Sequence, residues 1–245
     1  MSLLRKYAIE LYGFVNKIVV RLGFKFDYIW AHRYIWIKNM DIQTVLDVGA
    51  NKWQSVDRRK DLLGSQILFH CFEPLQSPFA ILHHRFNNAK NITLHNVGLW
   101  SDNSEHEIFV SNIDDSSSLL PPTETMTKTY EQIHFDKKDM IQIKTLDVLF
   151  SDLKIQWNIL MKVDTQGYEL EVFKWAANSL PHIAIIVVEL SFTEFYENQP
   201  LFGDVHMYLQ SQWFLYYGSF EQSADPVDGT PLQQDAIFVN KKFLN

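Results

Sequence analysis

The segment Thr44-Val45-Leu46-Asp47-Val48-Gly49-Ala50-Asn51 constrains the fold more than any other part of the chain. It reads as a buried strand that ends in a tight, glycine-containing turn. Some twenty residues on, Phe69-His70-Cys71-Phe72-Glu73-Pro74 reads as a second strand that ends in a carboxylate. In an open parallel sheet, ligands sit beyond the carboxyl ends of the strands, and an acidic residue about 20 positions after a glycine turn is placed to hold ribose hydroxyls. The pair points to a parallel sheet and a nucleoside-bearing ligand, without selecting which one.

Alternation continues from there. Helical patterns at residues 54–63 and 77–87 separate strand-like runs at 44–48, 66–73 and 91–97, which is the βαβαβ half of a doubly wound sheet. Short strands are expected at 107–110 and 140–145, around a polar loop containing Asp114-Asp115-Ser116-Ser117-Ser118 and Pro121-Pro122. A strand at 158–164, a helix at 169–178 and an apolar strand at 183–189 follow, then a helix at 202–210. Residues 214–217 and 236–239 suit an antiparallel pair joined by the polar loop 221–233. No internal repeat is visible.

A chain of 245 residues, 47% of them hydrophobic, is long enough for one α/β domain with a well-buried core. Its net charge of −7 argues against nucleic-acid backbone as the main partner. The single cysteine, Cys71, falls in an expected strand. It excludes an intramolecular disulfide and suits a reducing, cytoplasmic setting. The first forty residues read as a helical extension ahead of a domain spanning 41–245. Residues 3–24 are apolar at helical spacing with Arg5, Lys6, Lys17 and Arg21 interspersed, too polar for a transmembrane span and without a signal-peptide cleavage site. Such a helix covers the sheet, joins two subunits or rests on a membrane surface. Residues 27–38, with Tyr28, Trp30, Tyr34 and Trp36, read as a second helix.

The first turn narrows the ligand. Asp47-Val48-Gly49-Ala50-Asn51-Lys52-Trp53 has one glycine, not the G-x-G-x-x-G that lets a pyrophosphate approach the backbone, so a nicotinamide-dependent oxidoreductase is disfavoured. There is no G-x-x-x-x-G-K-[ST] for a phosphate cradle. A ligand with ribose but no phosphate fits: S-adenosylmethionine, with Asp47 toward its cationic amino group and Glu73 toward its ribose hydroxyls. Each carboxylate also has a plainer reading, Asp47 as a charge near a helix N-terminus and Glu73 as a solvated strand end.

These residues, with Ser116-Ser117-Ser118-Leu119, Lys144-Thr145-Leu146-Asp147 and Met161-Lys162-Val163-Asp164-Thr165-Gln166-Gly167-Tyr168-Glu169, resemble the FkbM family of S-adenosylmethionine-dependent methyltransferases. Val188-Glu189 and Asp235-Ala236-Ile237-Phe238 are weaker echoes, so the likeness runs over residues 44–239. The resemblance implies a Rossmann-like class I methyltransferase fold: an α/β, mostly parallel doubly wound sheet with an antiparallel C-terminal strand. It also implies O-methylation of a hydroxyl on a sugar, glycan or natural product. Two positions depart from the family pattern: Trp53 stands where a second glycine is usual, and Trp175 stands in the helix after the fourth strand. An indole at position 53 either fills part of the donor pocket, leaving a non-catalytic binding or assembly module, or points away and packs on the N-terminal helices.

The expected cofactor residues are Asp47, Gly49, Ala50, Asn51, Glu73 and Pro74, with Asn96 and Val97 near the adenine and Gly98 or Leu99 beside them. Transfer of a methyl to oxygen requires alignment, exclusion of water and removal of a proton. Asp164, at the carboxyl end of a central strand, is the expected base or substrate-orienting residue, with Glu169 and Glu189 as second choices. Glu169 at a helix N-terminus is also favourable with no catalytic duty. Lys162 shares the Asp164 face of the strand and can pair with it. Three carboxylates on one rim offer oxygen ligands to Mg²⁺ or Ca²⁺ as an alternative, but their spacing is not diagnostic and the histidines show no zinc pattern, so no metal is expected. The Ser116–Ser118 loop either orders over ligand or connects two strands.

Overall fold

The structure is a computed structural model, and it describes residues 34–113, 116–225 and 227–244. The expected helix at 3–24 and residues Asp114 and Asp115 lie outside the described residues. Of the expected helix at 27–38, one short piece is described, α1 (Ile35–Lys38), which belongs to a unit ending at Asn39.

Residues from Met40 onward form a second unit built on a seven-stranded sheet. Its first half is β1 (Thr44–Val48), α2 (Gln54–Leu63), β2 (Leu68–Phe72), α3 (Gln76–Phe86) and β3 (Ile92–His95). All five residues of β1 are buried, because both faces of a parallel strand are covered; three of them are apolar, and Thr44 and Asp47 are buried with hydrogen-bond partners. The chain then leaves the sheet for β4 (Gly98–Leu99), β5 (Glu105–Val110), α4 (Glu124–Thr129) and β6 (Lys137–Lys144). There β4, β6 and β5 make a small three-stranded sheet. The expected strand at 91–97 is thus shorter, ending at His95, and β4 begins beyond it at Gly98. The break falls at Asn96, whose Nδ2 donates to the carbonyls of Glu73 (2.9 Å) and Pro74 (3.1 Å) and ties the two strand ends together.

The second half comprises α5 (Leu146–Phe150), β7 (Ile159–Val163), α6 (Glu169–Lys174), β8 (Ile183–Ser191), α7 (Phe202–Ser211), β9 (Phe214–Ala224) and β10 (Pro231–Asn240). The strand order is β3-β2-β1-β7-β8-β10-β9, all parallel except β10, which runs antiparallel to both of its neighbours. This is the mostly parallel class I methyltransferase-like sheet that the sequence leads one to expect. The final hairpin is longer than expected, because β9 and β10 extend through most of the polar segment assigned to a loop. One sheet face, with Met161, Val163, Ile186, Val188 and Phe238, packs on Val172 and Phe173 of α6 and Val205 and Leu209 of α7. Cys71 is buried, and burial together with the nearby Asp47 carboxylate pushes its thiol well above the usual range, so it is an inert core residue. No helix among the described residues is long and apolar enough to cross a membrane.

The strand order reverses between β1 and β7, with β1 leading outward to β2 and β7 to β8. A crevice opens at the carboxyl ends of strands where the winding reverses. The segments that leave those ends, 49–53 after β1, 73–75 after β2 and 164–168 after β7, are the ones on which the sequence places its candidate residues.

Candidate active site

Gly49 has φ +73° and lies against the turn after β7: a Cβ built there would stand 1.9 Å from the backbone oxygen of Asp164. The glycine is required by the approach of two protein backbones, not only by the approach of a ligand. Its amide and that of Ala50 both donate to the carbonyl of Phe72 (3.0 Å each), which joins the exits of β1 and β2. Asn51, with φ +50°, completes the turn, and its amide donates to Glu73 Oε2 at 2.9 Å. Leu75 N donates to Glu73 Oε1 at 2.9 Å, so the carboxylate of Glu73 is fixed by two backbone amides. It is buried at the strand end, not solvated.

Beside these groups lies a cleft of about 700 Å³, open mouth and solvent included. Gly49, Asn51, Glu73 and Pro74 line one side; Gly98, Leu99, Ile108, Ile141 and Ile143 form an apolar wall. Asp164, Thr165, Gln166 and Tyr168 close the end toward β7, and Ser117 and Leu119 cover it. Of the expected cofactor residues, Asp47, Ala50, Asn96 and Val97 do not line this cleft. Ala50 holds the turn, Asn96 clamps the strand ends, and Val97 belongs to the hydrophobic core. The wall near the third strand is supplied by Gly98 and Leu99, which the sequence also places there.

Asp47 is fully buried; its Oδ1 accepts from Ser55 Oγ at 2.8 Å, and its Oδ2 has no partner. Asn51 Oδ1 is likewise buried and without a partner. Buried acceptors with no donor are uncommon in folded proteins. Two of them beside one glycine turn fit a ligand that brings a cationic amino group, and the apolar wall with a carboxylate at its rim fits an adenosyl group. The residues present therefore suit S-adenosylmethionine.

Trp53 is not among the residues lining the cleft. Its indole lies under the guanidinium of Arg85 in α3, 5.3 Å from ring centroid to Cζ. Packing on the N-terminal helices falls outside the described residues.

The turn after β7 organises the remaining chemistry. Gln166 (φ +52°) and Gly167 (φ +103°) bend the chain sharply into α6. Glu169 is buried beneath the bend and accepts from Thr165 N (3.0 Å), Thr165 Oγ1 (3.2 Å) and Gly167 N (3.1 Å). Burial raises its pKa to about 7, against the pull of those amides. Glu169 lines neither cleft, so its expected role as a reacting carboxylate gives way to that of a positioning residue for the turn. Asp164 stands above the bend: Lys162 Nζ donates to its Oδ2 at 2.8 Å and Gln166 Nε2 to its Oδ1 at 2.8 Å. Burial opposes the charge of Lys162, but the carboxylates of Asp164 and Asp47 outweigh burial and raise its pKa. The ammonium stays charged beside Asp164.

Gln166 Nε2 also donates to Glu189 Oε2 (3.0 Å), and Tyr196 Oη donates to Gln166 Oε1 (3.0 Å). Asp164, Gln166, Glu189 and Tyr196 line a second cleft of about 820 Å³, open space included, with Tyr130, Phe195, Gln132 and Gln233. Tyr130 and Phe195 are 5.6 Å apart between ring centroids and give it an aromatic wall. The two clefts share Asp164 and Gln166. Ser118 Oγ donates to the Gln166 carbonyl at 2.6 Å, so the serine loop is tied to this junction. The sequence reading missed Gln166, Tyr196 and Gln233. Among the described residues, no group of three or more His, Cys, Asp and Glu side chains has the arrangement to hold a metal ion.

Comparison with known proteins agrees with this geometry. Residues 47–216, more than two thirds of the chain, match the family model described as the methyltransferase FkbM domain. The 2-O-methyltransferase NoeI of Sinorhizobium fredii (strain NBRC 101917 / NGR234) is 26% identical over 162 residues, covering 63% of this chain and 66% of that protein. The crystal structure of methyltransferase FkbM from Methylobacillus flagellatus KT is similar in fold, with a TM-score of 0.51 and 15% identity over 81% of this chain and 44% of that one. The chain thus spans just under two thirds of the one relative and under half of the other. It belongs to the FkbM family of S-adenosylmethionine-dependent methyltransferases.

Proposed function

We propose that this chain methylates a hydroxyl of a sugar, glycan or other polyol-bearing natural product. The observation that carries the reading is the meeting of two clefts at Asp164 and Gln166, one suited to an adenosyl donor and one lined by aromatic rings, amides and carboxyls. Aromatic walls with convergent amides are the usual equipment for an uncharged polar ligand. The name of the curated relative, a 2-O-methyltransferase, points the same way.

When bound, S-adenosylmethionine supplies an electrophilic methyl on a cationic sulfur. Glu73 would hold its ribose hydroxyls, Asp47 and Asn51 its amino group, and Gly98 and Leu99 one face of the adenine. Asp164, fixed between Lys162 and Gln166, accepts the hydrogen bond of the reacting hydroxyl and takes its proton. Gln166 and Glu189 orient the acceptor, and Glu169 keeps the turn that carries Asp164 in place. In this reading residues 41–245 are the catalytic domain, residues 1–40 are a helical extension, and the buried lone thiol of Cys71 suits a cytoplasmic setting.

Calorimetric titration with S-adenosylhomocysteine tests the donor half. Saturable binding with Kd below about 1 mM is expected. Trp53→Gly should change that affinity by less than about twofold, as for other substitutions away from a site. No binding, or a large gain in the variant, would instead favour a binding module with an obstructed pocket.

A further inference from the structure

The second cleft has a property that its polyol reading does not require. Among the described residues lining it there is no lysine, arginine or histidine, whereas two carboxyl side chains, Asp164 and Glu189, face into it. The loop from Ser111 to Ser118, which contributes Ile113 and Ser116, carries no basic residue in its sequence. The nearby cation, Lys162, is buried and already paired with Asp164 at 2.8 Å. Behind Glu189, directly opposite on β10, lies Asp235. Its other polar lining side chains are neutral: the amides of Gln132, Gln166 and Gln233, the phenols of Tyr130 and Tyr196, and the hydroxyl of Ser116.

Resting on the acceptor assignment above, we infer that this cleft selects by charge: it takes a polyol that is uncharged or bears an ammonium group, and it rejects one bearing a carboxylate, sulfate or phosphate near the reacting hydroxyl. A negative group placed there comes beside the Asp164 carboxylate, whose cation Lys162 is already engaged, and meets no cation among the described lining residues; an unpaired charge in a desolvated site is strongly unfavourable. Glu189 already reports that environment. Burial, and then the charges of Asp164, Asp235 and Glu169, push its pKa well above the usual carboxylate range, with Lys162 opposing them. What resists a negative charge on Glu189 resists one on a ligand beside it.

The test uses the full chain loaded with S-adenosylhomocysteine and three probes of equal size: methyl β-glucoside, methyl β-glucuronide and the methyl glycoside of β-glucosamine. Dissociation constants are read by ligand-observed NMR, so no turnover is needed. The glucuronide should bind at least about tenfold more weakly than the glucoside, a difference of about 1.4 kcal/mol, and the glucosaminide at least as tightly as the glucoside. Gln132 is exposed at the rim of the cleft, so Gln132→Lys adds a cation without touching the core. It should narrow the glucuronide penalty by about fivefold, on the order of 1 kcal/mol. A glucuronide that binds the wild type as well as the glucoside, or a penalty that Gln132→Lys leaves unchanged, overturns the inference while the acceptor assignment stands. Binding of none of the three overturns the acceptor assignment itself, and the inference with it.

Discussion

Asp164→Asn is expected to lower the turnover number by about 10²–10⁴-fold, the usual contribution of a positioned general base, with little change in affinity for S-adenosylhomocysteine. The substitution is nearly isosteric, and the amide oxygen can still accept from Lys162 Nζ, which now holds Asp164 Oδ2 at 2.8 Å. What is lost is the capacity to take a proton. Lys162 also donates to the carbonyl of Gly49 at 3.3 Å, so its ammonium keeps a second anchor and the sheet edge should not collapse. Single-turnover release of S-adenosylhomocysteine gives the rate, and calorimetry on the same sample gives the donor affinity. A rate equal to that of the wild type would move the proton-accepting role to Glu189 or to solvent.

Glu73→Ala should weaken S-adenosylhomocysteine binding by about 10–150-fold. Hydrogen bonds to a charged group contribute about 1.5–3 kcal/mol, and 1.4 kcal/mol is a factor of ten. The truncation also releases the amides of Asn51 and Leu75, which Glu73 now satisfies at 2.9 Å each, so part of the loss is disorder of the turn. Glu73→Gln separates the two effects. It retains an oxygen for one amide and removes the charge that favours ribose hydroxyls. An intermediate affinity with unchanged thermal unfolding assigns the difference to ligand contact. Unchanged affinity in both variants would remove Glu73 from the donor site.

The parts of the fold that were legible in the sequence are those where burial on two faces leaves no choice of residue. The runs that became β1, β7 and β8 are mostly apolar because the sheet is covered on both sides, with Asp47, Lys162 and Glu189 as their charged exceptions toward the carboxyl ends, and β8 has a single partly exposed position. The helix at 54–63 coincides with α2. By contrast, α4 and α5 have six and five residues. A run of that length shows hardly more than one turn of periodicity, and its only local signal is the capping threonine, Thr123 or Thr145.

The donor cleft was partly legible because the glycine turn and the carboxylate at the end of β2 belong to a strand-end pattern with a physical reason. Of its apolar wall, Gly98 and Leu99 were in the expected place while Asn96 and Val97 were not, since the sequence does not reveal that Asn96 turns its side chain back to clamp β2. Gly49 was expected to serve a ligand, whereas its left-handed φ and the adjacent Asp164 carbonyl are visible only once β7 lies beside β1. Glu169 looked like a reacting group, but its chemistry is spent on three backbone and hydroxyl donors of its own turn. The acceptor cleft was the least legible. Tyr196, Gln166 and Gln233 come from an irregular segment, a tight turn and the last strand, and glutamine and tyrosine at such positions carry no spacing signal.

Catalysis by this chain requires the donor to lie between Gly49 and Glu73 with its sulfur directed at Asp164, where the two clefts join. A crystal structure of the chain with S-adenosylhomocysteine tests this most directly. The predicted result is ribose hydroxyls on the Glu73 carboxylate, the amino group at Asn51 Oδ1 or Asp47 Oδ2, and the sulfur facing the junction of Asp164 and Gln166. Density for the ligand in the aromatic cleft beside Tyr130 and Phe195, or at neither site in saturated crystals, would contradict it.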